Sequence, residues 1–163
     1  IAHMWTSQVG QAETQKWLAT HPGQLDGIAV QSSGETGVLA AVLQSGRDIP
    51  PMSIGGEIGA LCYWRNNPDY ISGAIQTWPP GDDVELGWNI MMRTLQGQGP
   101  KIQSILVPPL TIEYADVEAM MGTDCDRNST LWYNPGVEVW GGKDYVDNFF
   151  LRPADPEEYD PDS

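Results

Sequence analysis

Basic side chains are scarce in this chain. Its 163 residues include 8 Lys and Arg against 22 Asp and Glu, which gives a formal net charge of -14 at pH 7. Surfaces that bind nucleic acid carry clustered Lys and Arg, and anionic membrane surfaces repel a protein of this charge. The composition therefore argues against nucleic acid as a partner and against binding to an anionic membrane surface.

Long apolar runs are missing as well. No stretch approaches the roughly 18–20 consecutive apolar residues that a membrane-spanning helix needs. The first residues, Ile1–Met4, have neither the charged start nor the apolar centre of a signal peptide. The chain also lacks a plausible native start, so we expect either a processed precursor or a missing N-terminal part.

Few side chains are suited to catalysis or metal binding. His3 and His21 are the only histidines, and two lone histidines do not make a metal site. The sequence contains neither a GxGxxG nucleotide-binding turn nor a GxSxG nucleophile elbow. Asp124, Asp126 and Asn128 alternate like the start of a calcium loop, but the expected glycine and distal Glu are absent. We therefore expect a protein without enzymatic activity, cofactor or metal.

The two cysteines, Cys62 and Cys125, belong to no CxxC or metal-spaced pattern. They are either a disulfide that pins the C-terminal segment to the body, as an oxidising compartment permits, or two unrelated buried thiols. The residues around Cys125 have the composition of a loop that needs a tether, which favours the disulfide.

Short apolar strands alternate with helical segments through much of the chain, which predicts βα units around a parallel sheet and an α/β fold class. We predict helices at 6–19 and 34–44. A short helix follows residue 57 and runs to 65, and a further helix begins at 82 or 83 and ends at 95. The predicted strands span 28–30, 52–54, 71–76, 102–107 and 110–114. We expect Thr6 or Ser7 to cap the first helix, and the strand 28–30 to be buried on both faces.

The segment Leu25–Leu43 predicts a strand, a polar turn and a helix that starts at once. In an open α/β sheet, such a turn lies at the carboxyl end of a strand, where these sheets bind ligands. Ser32 or Ser33 either caps the helix or contacts a ligand, because a hydroxyl suits both roles. The turn has no acid–base or thiol cluster, which indicates binding without chemistry.

Three segments in order resemble the C-terminal half of the type I periplasmic sugar-binding proteins, the ribose- and galactose-binding class. They are LATHPGQLDGIAVQSSGETGVLAAVLQSG, IPPMSIGGEIGA and NPDYISGAIQTWPPGDDVELGWNIMMRTLQGQGP. The resemblance covers Thr6–Tyr114. It implies a parallel-sheet lobe of the type I periplasmic-binding-protein fold, with the ligand held between this lobe and an N-terminal lobe that has no counterpart here.

The resemblance also implies a domain organisation. Residues 1–116 form the C-terminal lobe, within which segment 79–105 belongs to or packs on the missing N-terminal lobe. Residues 117–150 are an irregular extension, and 151–163 are an acidic, Pro-rich tail. Without the missing lobe, the helix that ends at Leu95 should expose apolar surface along Val84, Trp88 and Met91.

The family binds sugar hydroxyls with Asn, Asp and Gln side chains at three loops, and aromatic rings stack on the sugar. The residues that stand at these loops here are Gln31, Ser32, Ser33 and Glu35 in the first, Gly55 and Glu57 in the second, and Gln76, Thr77 and Trp78 in the third. Ser32 stands where the family often has Asn, and Gly55 where it has Asp. These departures put the usual ribose or galactose specificity in doubt.

Several of these assignments have alternatives. Glu57 either contacts the ligand or is an acid in the first turn of a helix, where the helix dipole favours it. Strand neighbours point to opposite faces, so either Gln76, favoured by chemistry, or Thr77, favoured by register, faces the ligand. Trp5 and Trp64 are further candidates for stacking, with a place in the core as the alternative.

The resemblance implies the solute-binding component of a bacterial ABC-type sugar importer, located in the periplasm. Its partners would be a sugar or related small polar solute, the missing N-terminal lobe, and an ABC permease in the membrane. The alternative function is the effector-sensing domain of a lactose-repressor-type transcription regulator, which has the same fold. An α/β enzyme with its catalytic residues elsewhere is a third hypothesis that nothing in the sequence supports.

Overall fold

The computed structural model describes residues 1–31, 33–70, 72–76, 80–100 and 110–133, together with residues 147 and 150. The chain divides into two compact units. The first comprises Ile1–Thr77 and Pro109–Pro135, and the second comprises Trp78–Pro108 and Gly136–Ser163. The first unit contains the sheet described below.

The sheet has four strands in the order β1-β2-β3-β4. They are β1 (Ile28–Ala29), β2 (Met52–Ile54), β3 (Ser72–Gln76) and β4 (Leu110–Ile112). β1 and β2 are parallel, and so are β2 and β3, whereas β4 pairs antiparallel with β3. The α/β class is therefore confirmed. The prediction of a parallel sheet is wrong for β4, and an antiparallel edge strand on an otherwise parallel sheet is common.

Four of the five described helices lie close to the predicted ones, whereas the fifth begins at Tyr114, where the predicted strand 110–114 was expected to end. The helices are α1 (Ser7–Thr20), α2 (Glu35–Gln44), α3 (Ile58–Asn66), α4 (Pro80–Leu95) and α5 (Tyr114–Met120). Thr6 caps α1, and its hydroxyl accepts the Val9 N–H at 3.4 Å, as predicted. The predicted start of α4 at Asp82 or Asp83 is wrong, since the helix begins at Pro80. Proline suits a first helical turn because its fixed φ is already helical and its missing N–H is not needed there.

The prediction that the first strand is buried on both faces is also wrong. Ile28 is half-buried and Ala29 is exposed. β1 lies at the end of the strand order, and within the described residues only β2 pairs with it. Burial on both faces requires cover around the whole strand, and an edge strand with one neighbour has less of it.

Buried apolar side chains of α2, α3, β2, β4 and the α5 region form the main core. They are Val38, Leu39, Met52, Ile54, Ala60, Leu61, Trp64, Ile112, Val117 and Met121. A smaller cluster of Leu18, Ala41 and Val42 joins α1 to α2. The two helices approach so closely that a Cβ built on Gly37 would lie 1.9 Å from the Ser7 carbonyl oxygen. Glycine at position 37 is therefore a requirement of this packing.

Replacing Gly37 by Ala should destabilise the fold, because the new methyl group would overlap backbone that cannot rotate away. We expect the free energy of unfolding, measured with urea, to fall by about 2–3 kcal/mol. Gly87 is the matched control, since it lies in α4 and nothing is within 4 Å of a Cβ built on it. G87A should stabilise by about 0.5–1 kcal/mol through helix propensity. Equal effects of G37A and G87A would contradict the close approach of α1 and α2.

In the second unit, α4 carries a row of exposed apolar side chains. Val84, Trp88, Met91 and Leu95 recur every three or four residues, so they share one face of the helix, and all are exposed. The predicted exposure along this helix is confirmed. No helix among the described residues is both long and apolar enough to cross a membrane.

Candidate functional site

The ends of the parallel strands bring the first two predicted loops together. Gln31 and Ser33 follow β1, and Gly55 follows β2, at the carboxyl edge of the sheet. Gln76 is the last residue of β3, whose carboxyl end lies at the same edge because β2 and β3 are parallel. The other predicted site residues of these loops, Ser32, Thr77 and Trp78, lie outside the described residues.

Glu57 is buried, and its carboxylate joins three helices. It accepts a hydrogen bond from the Ser7 hydroxyl, at 3.1 and 3.2 Å from its two oxygens, and one from the Thr36 N–H at 2.8 Å. Ser7 is the first residue of α1, Thr36 is the second residue of α2, and Glu57 itself is the N-cap residue of α3. The carboxylate thus receives donors from the N-terminal ends of two helices, whose dipoles also favour a negative charge.

This arrangement refines the two roles predicted for Glu57. Its side chain makes no capping hydrogen bond to its own helix, and it serves the N-terminus of α2 across the fold. The N-cap residue of α2 is Gly34, which has no side chain to cap with, so capping of this helix by Ser33 is not observed. A direct contact of Glu57 with a ligand stays a prediction, and the residue is 3 % exposed.

Glu35 is the second buried acid of the site. Its side chain is fully buried, one carboxylate oxygen accepts the Gly55 N–H at 2.8 Å, and the other has no hydrogen-bond partner within the described part of the chain. Burial raises the pKa of the Glu35 carboxyl, and the nearby charge of Glu57 raises it further, against the lowering effect of backbone amides. Folding therefore makes the Glu35 carboxyl harder to ionise than it is in the unfolded chain.

Glu35 also explains the glycine at position 55. A Cβ built on Gly55 would lie 2.4 Å from the Glu35 carboxylate oxygen. A side chain at position 55 would require the Glu35 carboxylate to move. The aspartate that the resemblance suggests for this loop would therefore compete with Glu35 for the same space.

The buried acid predicts a specific dependence of stability on pH. Because the pKa of Glu35 is higher in the folded chain than its ordinary value of 4.5, its stabilising contribution is fully present below pH 4.5 and is lost as pH rises through the folded pKa. We expect Glu35→Gln, which keeps the acceptor for the Gly55 N–H, to weaken the decline of stability with rising pH.

Urea unfolding measured from pH 4 to pH 8 tests this expectation. Glu118→Gln is the control, because Glu118 is exposed on α5 and should leave the pH dependence unchanged. If the E35Q variant and the parent chain lose stability in parallel over this pH range, Glu35 does not titrate as the geometry indicates.

A segment from the C-terminal part of the first unit lies over these strand ends. We call residues 126–133 the strap. Its backbone carbonyls at Ser129 and Leu131 accept the N–H groups of Gly59 at 2.9 Å and Ile58 at 2.8 Å, and the Tyr133 N–H donates to the Gly56 carbonyl at 2.7 Å. These bonds fix the strap along the start of α3, directly beside the loop that follows β2.

Trp132 brings the strap into the candidate site. Its indole N–H donates to the Ser33 hydroxyl at 3.2 Å, and a Cβ built on Gly55 would lie 3.3 Å from the edge of its ring. Trp132 thus contacts both the first and the second predicted loop. The sequence analysis missed it, because 99 residues separate it from Ser33 and no periodic pattern marks it.

The predicted disulfide between Cys62 and Cys125 is confirmed, with the two Cα atoms 5.8 Å apart. It joins α3 to the residue just before the strap. A disulfide restricts the unfolded chain, and this one closes a loop over a sequence separation of 63 residues. It therefore both stabilises the unit and holds the strap at the strand ends.

Removing the disulfide should destabilise the chain and release the strap. For a loop of this length the expected loss is about 4 kcal/mol in the double variant C62A/C125A, measured by urea unfolding. Limited proteolysis should cleave within 126–133 faster in the variant than in the parent chain. The parent treated with dithiothreitol is the control and should fall to the stability of the variant. An unchanged cleavage rate would show that the strap is held without the disulfide.

A cavity of about 580 Å³ is lined by the N-terminal residues, α1 and β1. Gln31 lines it, together with Trp5 and Trp17. Its volume falls in the range of small-molecule sites. Trp5 is exposed. Trp64 is buried in the main core against Tyr114, so of its two predicted roles it has the place in the core and not the stacking on a ligand.

Within the described ranges, no group of three or more His, Cys, Asp or Glu side chains is placed to hold a metal ion. No family model matches the chain, and searches of curated proteins and of solved structures returned no match.

Proposed function

We propose that this chain is the sugar-binding lobe of a solute-binding protein that serves a bacterial ABC-type importer. In this proposal a second lobe closes over the strand ends, and the ligand is a sugar or a related small polar solute. No chemistry is performed on it. The sequence resemblance gives the class of protein, and a type I periplasmic-binding-protein lobe is the finer description of the α/β fold.

The observation that carries the proposal is the shared edge of the parallel strands. β1, β2 and β3 end at one side of the sheet, and the predicted ligand residues Gln31, Ser33 and Gln76 follow or end these strands. Open α/β sheets bind their ligands at this edge. The exposed amide of Gln31 and the hydroxyl of Ser33 offer the donors and acceptors that sugar hydroxyls need.

The disulfide favours transport over gene regulation. A regulator that binds DNA works in the cytosol, where thiols are kept reduced, whereas periplasmic proteins form and keep disulfides. The Cys62–Cys125 bond is compatible with the oxidising compartment. A coding sequence upstream that specifies a signal peptide would support the importer, and one that specifies a DNA-binding motif would support the regulator.

A thermal-shift assay on the full protein that contains this chain tests the sugar proposal. We expect at least one of D-ribose, D-xylose, D-glucose and D-galactose to raise Tm by several degrees. Ligand at about 100-fold above Kd stabilises by about 2.7 kcal/mol, and each kcal/mol shifts Tm by a few degrees at this size. L-Leucine is the control solute and should have no effect.

A pair of matched variants sharpens the same assay. Gln31→Ala removes a predicted ligand amide and should reduce the shift, whereas Gln24→Ala removes an equally exposed amide before β1 and should not. If none of the four sugars changes Tm in the parent protein, the proposal fails.

A further inference from the structure

The indole of Trp132 connects two loops that a ligand at the strand ends would meet. It donates its N–H to Ser33 after β1 and lies against Gly55 after β2. Trp132 is half-buried as a residue. An aromatic ring placed between two polar turns is typical of carbohydrate sites, in which polar groups bind the hydroxyls and aromatic rings cover the C–H faces.

Backbone contacts on both sides of Trp132 in the sequence fix the position of this residue. Glu57 and Trp132 form an antiparallel β-bridge, and the neighbours of Trp132 on the strap make the hydrogen bonds at 2.7 and 2.8 Å to the start of α3. The indole N–H is already bonded, so the ring plane is set as well. A ring held in this way loses little freedom when a ligand packs on it, which favours binding.

The residues beneath the ring are adapted to it. Ser33 has a φ of +64°, which is uncommon for a residue with a Cβ, and its hydroxyl is the acceptor for the indole N–H. A Cβ on Gly59 would lie 2.6–2.8 Å from Thr36 and from carbonyls of the strap, so only glycine admits the strap at this point. The Ser33 backbone thus serves the hydrogen bond to the indole, and Gly59 serves the close approach of the strap that carries Trp132.

We propose that Trp132 is a ligand-binding residue whose indole face stacks on the ring of a sugar held at the carboxyl ends of β1 and β2. This inference rests on the proposed function and adds a residue from outside the region of family resemblance. In it the strap is a wall of the site, and the disulfide at Cys62 and Cys125 holds that wall in place. The ligand class it favours is a neutral sugar ring with an exposed C–H face.

The proposal is tested by titrating the full protein with one of the four sugars. The sugar used is the one that gives the largest thermal shift. Trp132→Ala should weaken Kd about tenfold, because aromatic stacking contributes on the order of 1.5 kcal/mol. Trp132→Phe keeps a ring and should lose less. Trp88→Phe is the matched control on α4 and should leave Kd unchanged.

Tryptophan fluorescence gives a second measurement that a merely structural role would not alter. Addition of the sugar should change the emission of the parent protein and of W88F, and this change should be much smaller in W132F. If W132A lowers Tm while W132F keeps both the parent Kd and the fluorescence change, Trp132 only supports the strap and the inference is overturned.

The two proposals fail in different ways. Binding by the parent with unchanged Kd in both Trp132 variants overturns the role of Trp132 and leaves the sugar-binding function standing. Absence of binding by the parent to all four sugars overturns the proposed function, and the inference falls with it.

Discussion

The buried carboxylate of Glu57 is the interaction on which the arrangement of the strand ends depends. A buried charge is tolerated only with hydrogen-bond donors around it, and here Ser7 of α1 and Thr36 of α2 supply them. Because Glu57 also starts α3, one side chain ties three helix N-termini to one point. The turns that follow β1 and β2 lead into α2 and α3, so their positions are fixed by the same contact.

Glu35 can occupy its place beside Glu57 because the two acids have different surroundings. Glu57 has charge-assisted hydrogen bonds to a hydroxyl and an amide, whereas one oxygen of Glu35 has no partner among the described residues. Burial and the charge of Glu57 raise the pKa of Glu35, which favours its protonated form. Two ionised carboxylates repel each other in this interior, and that repulsion is one cause of the raised pKa of Glu35.

Local signals in the sequence predicted most elements, and contacts distant in sequence explain what they missed. The cap at Thr6 and the bounds of α2 follow from nearby residues, and both agree with the structure. The burial of β1 depends on which strands lie beside it, which its apolar residues do not specify. In the site, the turns after β1 and β2 were predictable, whereas Trp132 was not, since only the pairing of Cys62 with Cys125 hinted that its segment returns to the body.

Gly55 shows how the chemistry of this site differs from that of the family it resembles. The space of a side chain at position 55 is taken by the carboxylate of Glu35 and bordered by the ring of Trp132. Both acids near the strand ends are buried, and the neutral groups described there are the exposed Gln31 and the half-buried Ser33 and Trp132. Under the proposed function, a ligand would meet neutral hydrogen-bonding groups and an aromatic ring. Because the described residues directly after β1 and β2 present no exposed carboxylate that would balance a cation, and a chain with a net charge of -14 repels anions, these strand ends favour a neutral solute.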